Sequence, residues 1–119
     1  MMSSGDLHTR TKAYALRVIR LVQSLPHDRV ADVIENQLLR SATSVGANHR
    51  AARRARSQSD FVAKMKIVEE EADESLYWFE LLIESGLVPE QRLADLVAEG
   101  NQLVAMTVAS IKTARNHKS

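Results

Sequence analysis

Five arginines share one acid-free stretch of this 119-residue chain. From Asn36 to Ser59 there is no aspartate or glutamate, while Arg40, Arg50, Arg53, Arg54 and Arg56 are all present. A guanidinium is planar, permanently charged and able to bond two phosphate oxygens at once, so the chemistry open to such a cluster is the holding of a polyanion. No Phe, Tyr or Trp is interleaved with these arginines. Stacking on unpaired bases is therefore not implied, and phosphate contact without base readout is the expectation. Two other readings compete with it. The arginines could form a solvated helix face, or they could pair with glutamates of a neighbouring subunit.

Bond-making chemistry finds little to work with. The chain has no cysteine, which excludes disulfides, thiolate metal sites and cysteine nucleophiles. His8, His27, His49 and His117 are scattered, and the two Glu-x-x-His motifs of a di-iron bundle are missing. There is no glycine-rich phosphate loop and no nucleophile elbow. Ser41, Thr43 and Ser44 have no base placed to activate them and are expected to bond back to helix carbonyls. The sequence predicts neither an enzyme, nor a metal site, nor a cofactor.

The elements that must carry the arginines are helices. The chain is rich in Ala, Leu, Glu, Arg and Val and poor in turn formers. A first helix is predicted from about Leu7 to Ser24, with Leu7, Thr11, Tyr14, Val18, Leu21 and Leu25 as its apolar stripe. Pro26 ends it and suits the first turn of the next. The second runs from about His27 to Arg56 on a stripe of Val30, Ile34, Leu38, Ala42 and Val45. Gly46 interrupts it at a cost of roughly 1 kcal/mol relative to alanine, which implies a bend or a close backbone approach. Ser57 and Asp60 resemble a capping box. The third helix, Gln58 to Ser85, buries Phe61, Met65, Val68, Ala72, Leu76, Phe79 and Ile83, and Gly86 follows as a terminating glycine. Pro89 opens the fourth, which reaches about Arg115 on Leu93, Leu96, Val97, Leu103, Val104 and Ile111. Residues 1–119 thus form one all-α domain, an antiparallel up-down-up-down four-helix bundle, with 1–5 and 116–119 expected to fray.

Helical phase then places the charges and the spare apolar residues. At about 100° per residue, with Arg50 at 0°, Arg54 lies at about 40° and Arg53 at about 300°, while the core stripe centres near 220°. The three point away from the core. On the third helix, Ile67, Tyr77, Trp78 and Leu81 fall opposite the core stripe, together with Glu70 and Glu74. A monomeric bundle does not need such a back face, so it is read as an oligomer interface. The alternative is that Tyr77 and Trp78 cover the bundle margin. Residues 1–66 hold 12 Lys and Arg against 5 Asp and Glu, and residues 67–119 hold 4 against 10, so the net charge of +1 hides a dipolar chain.

The segment 37–88 resembles a known family of four-helix-bundle proteins. That family was first noted in open reading frames of intervening sequences within bacterial large-subunit ribosomal RNA genes. It includes the accessory variability protein of diversity-generating retroelements. The residues carrying the resemblance are Gln37, Leu38, Arg40, Ser44, Val45, Gly46 and Asn48, then Ser57, Asp60 and Phe61, then Gly86 and Leu87. It implies an up-down bundle assembled as a homopentamer and, for the retroelement branch, binding of nucleic acid and of a reverse transcriptase. Many members read NIAEG where this chain has NHRAA at 48–52. The resemblance carries over no catalytic residue. With no apolar leader and no run long enough to span a bilayer, a cytoplasmic protein without membrane contact is expected. The expected function is non-enzymatic binding of RNA or DNA by an oligomer. The competing expectation is a structural ring that docks another protein.

Overall fold

The computed structural model describes residues 4–117. Among them there are four helices and no strand: α1 (Ser4–Ser24), α2 (Arg29–Arg53), α3 (Gln58–Glu84) and α4 (Glu90–Asn116). Ser4, Gly5 and Asn116 are helical and His117 is the C-cap of α4; the rest of the expected fraying, at 1–3 and 118–119, lies outside the described residues. Each helix packs on its neighbour in the chain and α1 closes the ring on α4, while neither diagonal pair approaches closely. This is the antiparallel four-helix bundle, 52 × 23 × 20 Å in extent.

The helix ends follow from local chemistry. Asp28 caps α2 by accepting from the Ala31 N–H at 2.8 Å, so α2 starts two residues later than Pro26 and His27 suggest. Ser57 caps α3 by accepting from the Asp60 N–H at 3.1 Å. Asp60 reaches back to the Arg56 N–H rather than to that of Ser57, a displaced form of the capping box. Gly86 has φ +79° and donates to the Ile83 carbonyl, closing α3 as a left-handed glycine does. Pro89 stands at the cap of α4 and not within its first turn.

The stripe of α1 is buried throughout. In α2 the phase differs at one end: Val30 is 59% exposed, and Ala31 faces inward instead. Stepping back from Ile34 by four chooses Val30, but α2 is only two residues past its cap there and the inward step is three. Glu35, Ser41, His49 and Ala52 complete the inner face. In α3, Ser75 and Leu82 enter the core while Phe61, Leu76 and Ile83 are half-buried. Glycine serves close packing at two places. A Cβ on Gly46 would lie 3.5 Å from the backbone of Thr11, so α1 and α2 nearly touch there. Gly100 is tighter still, with Tyr14 Oη 2.9 Å from where its Cβ would stand. That hydroxyl bonds Ser75 Oγ at 2.7 Å, tying α1 to α3 through the core. Burial pushes the Tyr14 phenol up to about 12.

Candidate nucleic-acid interface

The close contact at Gly46 has a consequence at the neighbouring end of the α1–α2 seam. Because the two helices are antiparallel, the start of α1 meets the end of α2. His8 and Lys12, one turn apart on α1, face Arg50, Arg53 and Arg54 across a cleft of ≈ 380 Å³. A shallower groove of ≈ 200 Å³ continues from it along the seam past Thr11, Thr43 and Gly46. The C-terminal turn of α2 favours cations electrostatically, and Arg50 and Arg53 occupy it. Arg54 is the C-cap residue, its N–H held by the Ala51 carbonyl at 3.1 Å.

These cations are left without acids. Among the described residues, none of Lys12, Arg50, Arg53 and Arg54 forms an ion pair. Arg10 is different: it clasps Glu99 with two bonds of 2.9 and 2.7 Å and so fastens α1 to α4. The field of the cleft acts on its histidine. Arg53 foremost, aided by desolvation, Lys12 and Arg50, lowers the pKa of His8. Behind the cleft, His49 is fully buried and neither ring nitrogen has a partner among the described residues. Burial first, then Arg53 and His8, push its pKa down to about 4. Concentrated positive charge next to open solvent, with no ion pair to these cations among the described residues, can attract and hold phosphates.

Residues 6–109 match the family described as 23S rRNA-intervening sequence protein. The chain belongs to that family. A crystal structure at 1.70 Å of a Bacteroides thetaiotaomicron VPI-5482 protein of unknown function, assigned to the S23 ribosomal protein family, superposes with a TM-score of 0.87. The two share 31% sequence identity, over 93% of this chain and 99% of the other. No curated protein matches.

Within this member of the 23S rRNA-intervening sequence protein family, the expected site residues separate into three groups. Arg50, Arg53 and Arg54 converge as the sequence predicts. Arg40 does not join them: it reaches across to α3, pairing with Glu71 at 3.3 Å and also with Glu74. Glu74 in turn accepts from the Trp78 indole N–H at 3.0 Å. That bond first, and Arg40 after it, holds the Glu74 carboxyl below its ordinary pKa. The partner expected for Glu74 from another subunit is thus supplied by its own chain. Arg56 is exposed in the α2–α3 connection, outside the cleft lining.

The back face of α3 also divides. Trp78 and Leu81 are half-buried against the bundle's own core, as the margin reading has it. Ile67 and Tyr77 remain outside, 41% and 51% exposed, and Glu70 is exposed with them. Tyr77 meets the Trp78 ring edge-on at 5.0 Å.

Sequence reasoning missed His8 and Lys12. The signal was present, since α1 carries no acid from Leu7 to its end, and positions 8 and 12 share a face. It also missed a cluster at the far end of α2, where His27, Asp32 and Glu35 come together. Ser41 and Thr43 do bond back, to the carbonyls of Gln37 at 3.0 Å and Leu39 at 2.8 Å. Among the described residues no helix is long and apolar enough to cross a membrane.

Proposed function

We propose that this protein binds RNA or DNA without catalysis, gripping phosphates in the α1–α2 cleft as one subunit of an oligomer. The observation that carries this reading is the set of four unpaired cations, Lys12, Arg50, Arg53 and Arg54, lining one cleft with His8. The same chain neutralises Arg10 and Arg40 internally, so unpaired charge is not general to its arginines. The family's description, which ties its members to 23S rRNA intervening sequences, supports a nucleic-acid setting. A homopentamer, as the family resemblance implies, would repeat the cleft around a ring. A single cleft offers few contacts, and several engaging one strand gain through effective concentration. Under the retroelement reading, the ring would also accompany a reverse transcriptase.

The test is a titration of wild type and an Arg50→Glu/Arg53→Glu/Arg54→Glu variant against structured RNA and duplex DNA at several salt concentrations. Wild type is expected to bind with little sequence preference and with affinity falling steeply as salt rises. Each phosphate neutralised on duplex DNA contributes about −0.9 to the slope of log K against log salt. The variant is expected to lose binding while keeping its helix content, because the three arginines point away from the core. Absence of wild-type binding even at low salt, or equal binding by the variant, would replace this reading with that of a protein-docking ring.

A further inference from the structure

At the opposite end of α2 from the cationic cleft lies a cluster that the proposed binding does not use. Glu35 sits on the inner face of α2 with only 2% of its surface exposed. Among the described residues its carboxylate takes part in no hydrogen bond and no ion pair, and its oxygens keep only a rim of solvent contact. A carboxylate so largely desolvated gains from a nearby opposite charge. What surrounds it are ligand atoms. Asp32 precedes it by three residues and shares its face of the helix. His27, from the α1–α2 connection, swings over both, with Nδ1 3.4 Å from Asp32 Oδ1. One ligand atom from each of the three lies within 4.8 Å of the other two.

We propose that His27, Asp32 and Glu35 form a binding site for a divalent cation of the zinc class, one imidazole nitrogen and two carboxylate oxygens, pinning the α1–α2 connection to the body of α2. Two ligands about 2.1 Å from one tetrahedral ion stand about 3.4 Å apart, which is the separation of the His27 and Asp32 atoms. An oxygen of Glu35 lies within 4.8 Å of both atoms and must draw closer to complete the set, and His27, 73% exposed, has room to move with it. The exposed side leaves a fourth position open to water. The imidazole favours zinc and its first-row neighbours over magnesium and calcium, which prefer all-oxygen shells. Asp28 adds negative charge nearby; one of its oxygens is engaged in capping α2, so it acts on the ion through its field. The N-terminal end of a helix opposes a cation, and three carboxylates within its first turns offset that opposition.

The experiment uses the full chain, stripped of metal by a chelator and titrated calorimetrically with Zn²⁺, Mn²⁺ and Mg²⁺, alongside thermal melts. The expected result is one zinc per chain, a melting temperature that rises with zinc, and a weaker response to Mg²⁺. Glu35→Gln and His27→Ala should each weaken zinc binding at least tenfold. Glu35→Gln should also match or exceed the metal-free wild type in melting temperature, because it removes a largely desolvated negative charge at nearly constant shape. That opposite sign in the two states separates lost ligation from simple damage to the fold. Absence of zinc binding overturns the site, as does binding that either variant leaves intact, or a Mg²⁺ response equal to that of zinc. RNA titration at the distant cleft fails or succeeds separately, so neither outcome decides the other.

Discussion

His49 is the residue whose behaviour is most sharply set by its surroundings. It is buried neutral, with both nitrogens unpartnered and its pKa lowered to about 4. The unfolded chain takes up a proton near the ordinary histidine value of about 6.5, whereas the native chain does not until about pH 4. Protons therefore bind preferentially to the unfolded state in that window, and stability falls as pH is lowered through it. The slope approaches about 1.4 kcal/mol per pH unit for a single group. Urea melts from pH 7 to pH 4 should show this loss, and His49→Leu should flatten it. A wild-type profile no steeper than the variant's counts against the assignment. At Gly100, a different residue-scale constraint acts. An added methyl would stand 2.8 Å from Leu76 Cδ2 and 2.9 Å from Tyr14 Oη. Leu76 is half-buried and can yield, but Tyr14 is locked by burial and by Ser75. Gly100→Ala is expected to destabilise by about 1–3 kcal/mol despite its gain in helix propensity. A raised urea midpoint would exclude the clash.

At the scale of the element, α2 carries a cationic cluster at its C-terminal end and the His27–Asp32–Glu35 cluster at its N-terminal end, and it lies closest to α1 at Gly46. Gly46 sets how closely α1 can lie, and that spacing brings His8 and Lys12 opposite the arginines. A Cβ there meets the Thr11 backbone at 3.5 Å, an ordinary contact distance. Alanine is therefore expected to be tolerated and to recover up to about 1 kcal/mol of propensity. Leucine has no room against rigid backbone, and Gly46→Leu should cost about 1–3 kcal/mol through overpacking. The pair of variants gives the measurement its meaning. If leucine melts at or above the wild-type temperature, the α1–α2 approach is not a constraint. The wheel reading of α2 places Ile34, Leu38, Ala42 and Val45 correctly and fails at Val30, two residues past the Asp28 cap. Helical phase is reliable where a helix is continuous and uncertain where its first turn is still to be located.

The whole molecule presents its two charge populations on different seams. Arg40 meets Glu71 and Glu74 between α2 and α3, and Arg10 meets Glu99 between α1 and α4. The α1–α2 seam is the one left cationic. Assembly is expected to use the part of α3 that its own bundle leaves bare, and Ile67 and Tyr77 are that part. Ile67→Glu with Tyr77→Glu should dissociate the oligomer and leave the far-ultraviolet circular dichroism unchanged. Trp78→Glu should do more harm, since Trp78 also packs on the core and bonds Glu74. Light scattering that finds a monomer for the wild type would end the interface reading. Nucleic-acid affinity should fall with dissociation even though the cleft is intact, because linked clefts act together.

The sequence by itself determined the number of helices, their stops and most of their buried faces. Those features depend on local chemistry: an apolar repeat near 3.6 residues, a capping side chain, a glycine that tolerates positive φ, a proline that cannot continue a turn. It also placed Arg50, Arg53 and Arg54 together, since they lie within one turn and share its outer side. Only the tertiary structure decided which arginines are spent inside the chain. Arg40 looked equivalent to the others until α3 brought Glu71 and Glu74 beside it. His8 and Lys12 joined the cleft, and His27 met Asp32 and Glu35, for the same reason. Contacts between elements depend on how near two backbones come and on how each helix is rotated. A sequence pattern records the rotation to within a residue. The approach distance is set by packing, and a shift of a few ångströms separates an ion pair from a free charge.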